Sequence, residues 1–332
     1  MPDYRRIIEE RERQTLSPYA ALSAETRGRE YPIDPCPVRT AFVRDRDRII
    51  HCKSFRRLKH KTQVFLSPIG DHYRTRLTHT LEVAQIARTI ARGLLLNEDL
   101  TEAIAMGHDL GHTPFGHSGE SVLNRIVPGG FEHNKQSLRI VEKLENGKGL
   151  NLTFEVRDGI LNHKKSGHPS TLEGVVVSLA DRIAYVNHDI DDAVRAGLLS
   201  NDILPKSCIE AIGATHGERI NTLVLDILQT SSGKDHVEMS GEISSEFEKL
   251  RQFLFDNLYY DSAAKAEEGK AEGVIERLYY HYLKHVSELP PEFTKYIDED
   301  GPNRIAADYI ACMTDRYAVR DYTRLFVPAD WA

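Results

Sequence analysis

Two stretches of this chain decide what it can fold into. Across residues 78–96, His79, Val83, Ile86, Ala87, Ile90 and Leu94 recur at spacings of three and four. That is the signature of one buried helix face, and Thr78 can cap its start. Across residues 172–194, Val175, Val176, Leu179, Ile183 and Val186 supply a second such face. On the same helix Asp181, Tyr185, Asp189 and Asp192 repeat at four, four and three, so they share one side. Both helices carry titratable groups inward. His79 lies on the apolar face of the first, and Asp181 follows Val177-Ser178-Leu179-Ala180. A buried imidazole or carboxylate must find a hydrogen-bond partner or a metal.

Helical patterning continues through 4–13, 100–106, 118–126, a segment opening at Phe131, 154–163, 203–212, 219–228, 243–258, 273–285 and 305–317. No region shows period-two alternation over several strands, so the expectation is an all-α protein, with no internal repeats. Residues 1–38 read as a polar helix followed by a Pro-rich arm (Tyr31-Pro32-Ile33-Asp34-Pro35-Cys36-Pro37), since prolines at that density disfavour helix. Residues 39–197 read as the core and 198–332 as a helical region packed on it, without a dense catalytic cluster.

The composition excludes several classes. At 332 residues with 40% hydrophobic and 28% charged side chains, the chain suits a soluble globular protein. No apolar run approaches the roughly 20 residues a membrane span needs. Residues 1–13 are crowded with Arg and Glu, which argues against a secretory signal and for the cytoplasm. Cys36, Cys52, Cys208 and Cys312 are widely separated, so reduced thiols are expected. A net charge of -7 speaks against a surface devoted wholly to nucleic acid. Residues 39–61 are nevertheless strongly basic. Most of these cations read as a solvated helix face, and Arg56 and Arg57 are the best placed to line a cavity for a polyanion.

Ten of the fifteen histidines fall between His60 and His188. The densest part is His108-Asp109-Leu110-Gly111-His112-Thr113-Pro114-Phe115-Gly116-His117-Ser118-Gly119-Glu120. The Gly-Pro-Gly interruptions would bend the backbone so that His112, His117 and Glu120 point back at one spot. His79, His108, Asp109 and Asp181 together offer two imidazoles and two carboxylates from three helices. Such a mixed set suits Mn, Fe, Ni, Co or Zn, and Mg less ideally, with positions left for water and a substrate oxygen.

These residues resemble the HD-domain phosphohydrolases, and more narrowly the deoxynucleoside triphosphate triphosphohydrolases of the dGTPase-like family. The similarity rests on Arg56-Arg57-Leu58-Lys59-His60-Lys61-Thr62-Gln63-Val64-Phe65, on Arg74-Thr75-Arg76-Leu77-Thr78-His79-Thr80-Leu81-Glu82-Val83, and on the 108–120 stretch. It extends to Phe131-Glu132-His133-Asn134, to Ser178-Leu179-Ala180-Asp181-Arg182-Ile183-Ala184-Tyr185 with Asp189-Ile190-Asp191-Asp192-Ala193, and to Asp308-Tyr309-Ile310-Ala311-Cys312-Met313-Thr314-Asp315-Arg316-Tyr317. The likeness runs from about residue 26 to 326.

The resemblance implies roles residue by residue. His79, His108, Asp109 and Asp181 match metal ligands. His117 with Glu120 matches a catalytic pair beside the α-phosphate, and His112 and His133 match histidines lining that site. Gln63, Tyr185 and Asp189 match residues that hold the deoxyribose, with Gln63 and Asp189 reaching the 3′-hydroxyl. Arg76 and Arg182 match cations on the triphosphate, and Tyr259 an aromatic near the sugar. The implied reaction is hydrolysis of a dNTP, with dGTP as family default, to a deoxynucleoside and inorganic triphosphate. In it, water held by the metal attacks the α-phosphorus, and His117 protonates the departing O5′, with Glu120 orienting and charging that ring. Homo-oligomers, hexameric or tetrameric, belong to the same picture, as does a second dNTP as activator. Two alternatives stay open: another HD-type activity (5′-nucleotidase, cyclic-nucleotide phosphodiesterase or guanosine tetraphosphate hydrolase), or a nucleotide sensor or single-stranded DNA binder with weak catalysis.

Overall fold

The computed structural model describes residues 3–63, 74–195, 197, 199–200, 203–258 and 264–328. In chain order the helices are α1 (Tyr4–Thr15), α2 (Ala41–Ile50), α3 (Lys53–Arg57), α4 (Arg76–Gly93), α5 (Glu98–Gly107), α6 (Gly116–Ile126), α7 (His133–Arg139), α8 (Phe154–Asn162) and α9 (Leu172–Arg195). They continue with α10 (Lys206–Ile212), α11 (His216–Ser231), α12 (Gly241–Leu258), α13 (Ala264–Lys284), α14 (Pro291–Thr294), α15 (Ile297–Ala311) and α16 (Asp315–Phe326). Among the described residues extended pairing is limited to two isolated bridges, Arg29 with Thr153 and Thr62 with Thr75. The all-α expectation holds. No described helix is long and apolar enough to cross a membrane, and all four cysteines are free thiols.

The chain divides into two compact units that alternate along the sequence. Unit 1 comprises Met1–Ile50, His79–His108 and Asn151–Ser262; unit 2 comprises His51–Thr78, Asp109–Leu150 and Ala263–Ala332. In unit 1 the central helix is α5. Asn97 caps it by accepting from the Leu100 N–H, Glu98 and Asp99 sit in its positive first turn, and Leu100 to Gly107 is buried apart from Glu102. Helices α2, α8 and α9 pack around it, and α9 also meets α11 and α12. In unit 2, α13 is the hub against which α6, α15 and α16 pack, with α14 lying on α15.

Three local expectations shift. The start of α4 is capped by Thr75 instead of Thr78, its hydroxyl accepting from the Thr78 N–H at 3.4 Å while the Thr78 hydroxyl bonds back to Thr75. Thr75 is available because it is already held in the bridge to Thr62. The core of α9 includes the expected Val176, Ile183 and Val186 together with Val177, Ala180 and Ala184, while Val175 and Leu179 are only half-buried, because partners on two sides bury a wider band than one stripe. The single helix expected over 305–317 is two. Thr314 starts α16 by accepting from the Tyr317 N–H at 3.2 Å, a side-chain bond that competes with helix continuation.

The first turn of α9 holds an unusual carboxyl. Glu173 is fully buried, and its Oε1 accepts from the Ala21 and Asn97 backbone N–H groups at 3.0 and 2.9 Å. Burial nevertheless dominates and pushes its pKa up to about 7. The folded state therefore holds a proton that the unfolded chain releases near pH 4.5. This contribution to stability is complete below about pH 4.5 and fades as pH rises through about 7. Urea titrations should show Glu173→Gln gaining on the wild type by up to about 3 kcal/mol between pH 5 and pH 8. A pH-independent difference would contradict this.

Candidate metal centre and histidine cluster

Within unit 1, α4 supplies His79, the end of α5 supplies His108 and α9 supplies Asp181. His79 Nε2 lies 3.1 Å from Asp181 Oδ1, and His108 Nε2 lies 3.7 Å from the same oxygen. Ligands about 2.1 Å from a common metal in octahedral geometry stand about 3 Å apart, so the spacing fits. The hydrogen bonds behind the rings also fit. His108 Nδ1 is 2.6 Å from the Ala105 carbonyl, which can only accept, so the proton sits on Nδ1 and Nε2 presents a lone pair. His79 Nδ1 is 3.1 Å from His188 Nδ1, and His188 Nε2 is 3.2 Å from Glu82 Oε2. With Nε2–H of a neutral His188 donating to Glu82, its Nδ1 accepts from His79 Nδ1–H, and His79 Nε2 likewise presents a lone pair. Two lone pairs and a carboxylate oxygen converging in a buried place call for a cation.

The face of α9 beyond Asp181 is as the periodicity implies. Tyr185 is half-buried, its phenol pushed up to about 12 by burial and by the Asp181 charge, and Asp189 is buried one turn further on. Arg182 donates to Glu248 at 3.3 Å and lies over the Phe247 ring, with its Nε buried and unpartnered among the described residues.

Within unit 2 a second group gathers. Arg76 is 1% exposed; its Nη1 donates to Asp109 Oδ2 at 2.8 Å, while its Nε and Nη2 have no hydrogen-bond partner among the described residues. His112 Nε2 lies 3.1 Å from Asp109 Oδ1, and the His112 and His133 rings stack at 4.0 Å. The His117 ring is 6.1 Å from that of His112, and the residue as a whole counts as exposed. Desolvation first, then the Arg76 charge, lower His112 well below the ordinary histidine value and lower His117 as well. Asp109, His112 and His133 could geometrically hold a metal. Their stacking argues against it, because rings only 14° from parallel direct their in-plane lone pairs side by side instead of at one point. Gln63 is buried in the same unit, with its Oε1 unpartnered among the described residues.

Glu120 departs from expectation. Both its oxygens lie 2.9 Å from His133 Nδ1, and Oε1 also accepts from the His133 backbone N–H. Burial would raise it, yet those bonds hold it well below the usual range. Glu120 thus orients His133, and His117 feels it only as a charge. The reason is local geometry. Gly111 lets α7 approach so closely that a Cβ there would sit 2.2 Å from Ser137 N and 2.4 Å from His133 O. Phe115 and Gly116 both take left-handed φ values, 62° and 56°, at the turn that leads into α6.

The basic segment divides. Arg56 is exposed and bonds back to the His51 carbonyl, while Arg57 lines a pocket with Lys53, Glu145, Lys295 and Cys312 that includes none of the clustered histidines. Tyr259, Val64 and Phe65 lie outside the described residues. Sequence reasoning missed His188 and Glu82, although the signal was present: His188 falls seven residues after Asp181, two turns along the same face, and Glu82 one turn after His79. Replacing His188 by Leu should weaken manganese affinity about 10- to 100-fold in EPR titrations, with His188→Gln retaining more because its amide can copy both bonds. Equal affinities would remove His188 from the centre.

Residues 76–186 match the HD domain family, and residues 237–324 match the family described as Phosphohydrolase-associated domain. A deoxyguanosinetriphosphate triphosphohydrolase-like protein from Caldanaerobacter subterraneus subsp. tengcongensis is 60% identical over 328 residues, covering 98% of this chain and 97% of that protein. A protein of the same description from Clostridium perfringens is 52% identical, covering 98% of each. A crystal structure of a phosphohydrolase from Bacteroides thetaiotaomicron aligns with a TM-score of 0.52 at 17% identity over 84% of this chain and 68% of that one, a likeness of fold alone. With identity at this level running nearly end to end, the chain belongs to the deoxyguanosinetriphosphate triphosphohydrolase-like family of HD-domain enzymes.

Proposed function

We propose that the protein hydrolyses deoxynucleoside triphosphates at the α-phosphorus, releasing a deoxynucleoside and inorganic triphosphate, with dGTP as the default substrate. The observation that carries this reading is Arg76, a fully buried guanidinium with two nitrogens unpartnered among the described residues, in a unit that also holds His112, His117 and His133. Asp109 engages only one of its nitrogens, and buried donors of this kind suit a polyanionic phosphate. The relatives' description as deoxyguanosinetriphosphate triphosphohydrolase-like supports the same reading.

The roles follow from each residue's chemistry. His79, His108 and Asp181, with Asp109 as fourth ligand from the sequence motif, would hold a divalent cation such as Mn, Mg, Fe, Ni or Co. When bound, that cation supplies Lewis-acid charge and makes water more acidic. Arg76 and Arg182 neutralise the triphosphate. His117 is exposed, and in this reading it holds the proton that O5′ needs on leaving. Glu120 fixes His133, which stacks on His112 and keeps that wall of the cluster rigid. Gln63 and Asp189 are read as ligands of the 3′-hydroxyl, Tyr259 as an aromatic beside the sugar, and Tyr185 as the residue that fills the space a 2′-hydroxyl would need. A homo-oligomer and activation by a second dNTP belong to the same proposal.

The test is a panel of all dNTPs and NTPs, alone and in mixtures, with Mn or Mg, assayed for the phosphorus product. Triphosphate released from dNTPs and not from NTPs supports the reading. Monophosphate, pyrophosphate or single phosphate as product refutes it, as does tight single-stranded DNA binding without turnover under any mixture.

A further inference from the structure

We infer that Asp315, at the start of α16, is a positioning residue that ties together the segments carrying Gln63 and His117; this rests on the functional reading above. Its Oδ2 accepts from the Thr62 backbone N–H at 2.8 Å and from the Thr62 hydroxyl, and its Oδ1 accepts from the Phe115 N–H at 3.1 Å. Each contact falls one or two residues before a residue assigned to substrate. Thr62 precedes Gln63, and Phe115 precedes Gly116-His117.

The turn that presents His117 needs such a hold. Phe115 and Gly116 are both left-handed, a conformation that a residue with a bulky side chain adopts only under external constraint. From within, the turn is tied by the Thr113 hydroxyl donating to Gly116 O at 3.0 Å. From outside it is tied by Asp315. A parallel tie runs through Lys61, fully buried, whose Nζ donates to the carbonyls of His112 and Ala311. Arg76 belongs to the same framework, since its N–H bonds Lys61 O at 3.1 Å and Thr75 pairs with Thr62. Residues 61–63, 112–117 and 311–315 are thus fastened at one junction inside unit 2. The matched phosphohydrolase-associated region, 237–324, includes Asp315. The C-terminal part of the chain therefore acts on the site's geometry as well as on packing.

The experiment compares the full-length wild type with Asp315→Asn. The amide oxygen can keep the Thr62 side, where two donors converge, while its NH2 turns a donor toward the Phe115 N–H and releases the turn. We expect kcat to fall about 100-fold with KM within about threefold, the response of a reacting group displaced by an ångström. Amide exchange at residues 111–117 should quicken more than 10-fold while α13 exchanges as before. Unchanged kcat and unchanged exchange at Phe115 would overturn the inference, as would a uniform rise in exchange with normal kcat, which marks a residue of general stability. If the wild type releases no triphosphate from any dNTP, the functional reading fails, and the exchange comparison still decides whether Asp315 holds the turn.

Discussion

His117→Gln is expected to lower kcat by about 10³-fold while metal content and thermal stability stay at wild-type levels. Among the described residues the ring makes no hydrogen bond that the substitution would break, so a folding defect is not the anticipated cause. Its proton is the issue. Desolvation and the Arg76 guanidinium lower the ring from its ordinary value in the free protein. A highly anionic triphosphate beside Arg76 would cancel that charge and move the ring back up, so His117 gains its proton as the substrate arrives. A general acid acts only while protonated, and kcat/KM reports the free protein whereas kcat reports the complex. The alkaline fall in kcat/KM should therefore lie at lower pH than the fall in kcat. Coincident limbs, or a His117→Gln enzyme within threefold of wild type, would remove His117 from the acid role.

The second large effect concerns the metal. Asp181→Ala and His79→Ala should each abolish turnover and lower bound metal at least 10-fold by elemental analysis of purified protein. The physical reason is the shared oxygen: both Nε2 atoms face Asp181 Oδ1, at 3.1 and 3.7 Å. Without the carboxylate only imidazoles remain on that side, and without His79 the relay through His188 has nothing to orient. A thermal readout separates this from damage to the fold. Added Mn(II) at 100 times its Kd should stabilise the wild type by about 2.7 kcal/mol and leave the Asp181→Ala melting temperature where it was. Equal metal content in all three proteins would mean that these side chains are paired core residues.

Part of this site could be read from the sequence because helical periodicity is a local property. A 3.6-residue repeat places His79 with Val83 and Ile86, and it places Asp181, Tyr185 and Asp189 on one face, whatever the rest of the chain does. Both readings hold, as does the all-α architecture. The partner of Glu120 was not legible. One helical turn separates His117 from Glu120, yet the carboxylate is taken by His133, because Gly111 admits α7 so closely. The break before α16 was missed for a related reason, since Thr314 and Asp315 spend their oxygens on local capping and on a distant contact.

By itself, then, the sequence determined the helical class, the family, and which side chains of α4, α5 and α9 turn inward, since these depend on residue spacing and on motifs that short-range geometry expresses directly. Only the tertiary structure decided the relay from Glu82 through His188 to His79, the pairing of Glu120 with His133, and the bond from Asp315 to Thr62 across 253 residues of chain. Those contacts depend on how closely separate segments approach. That is set by packing and by single glycines such as Gly111, and no periodicity within one segment encodes it.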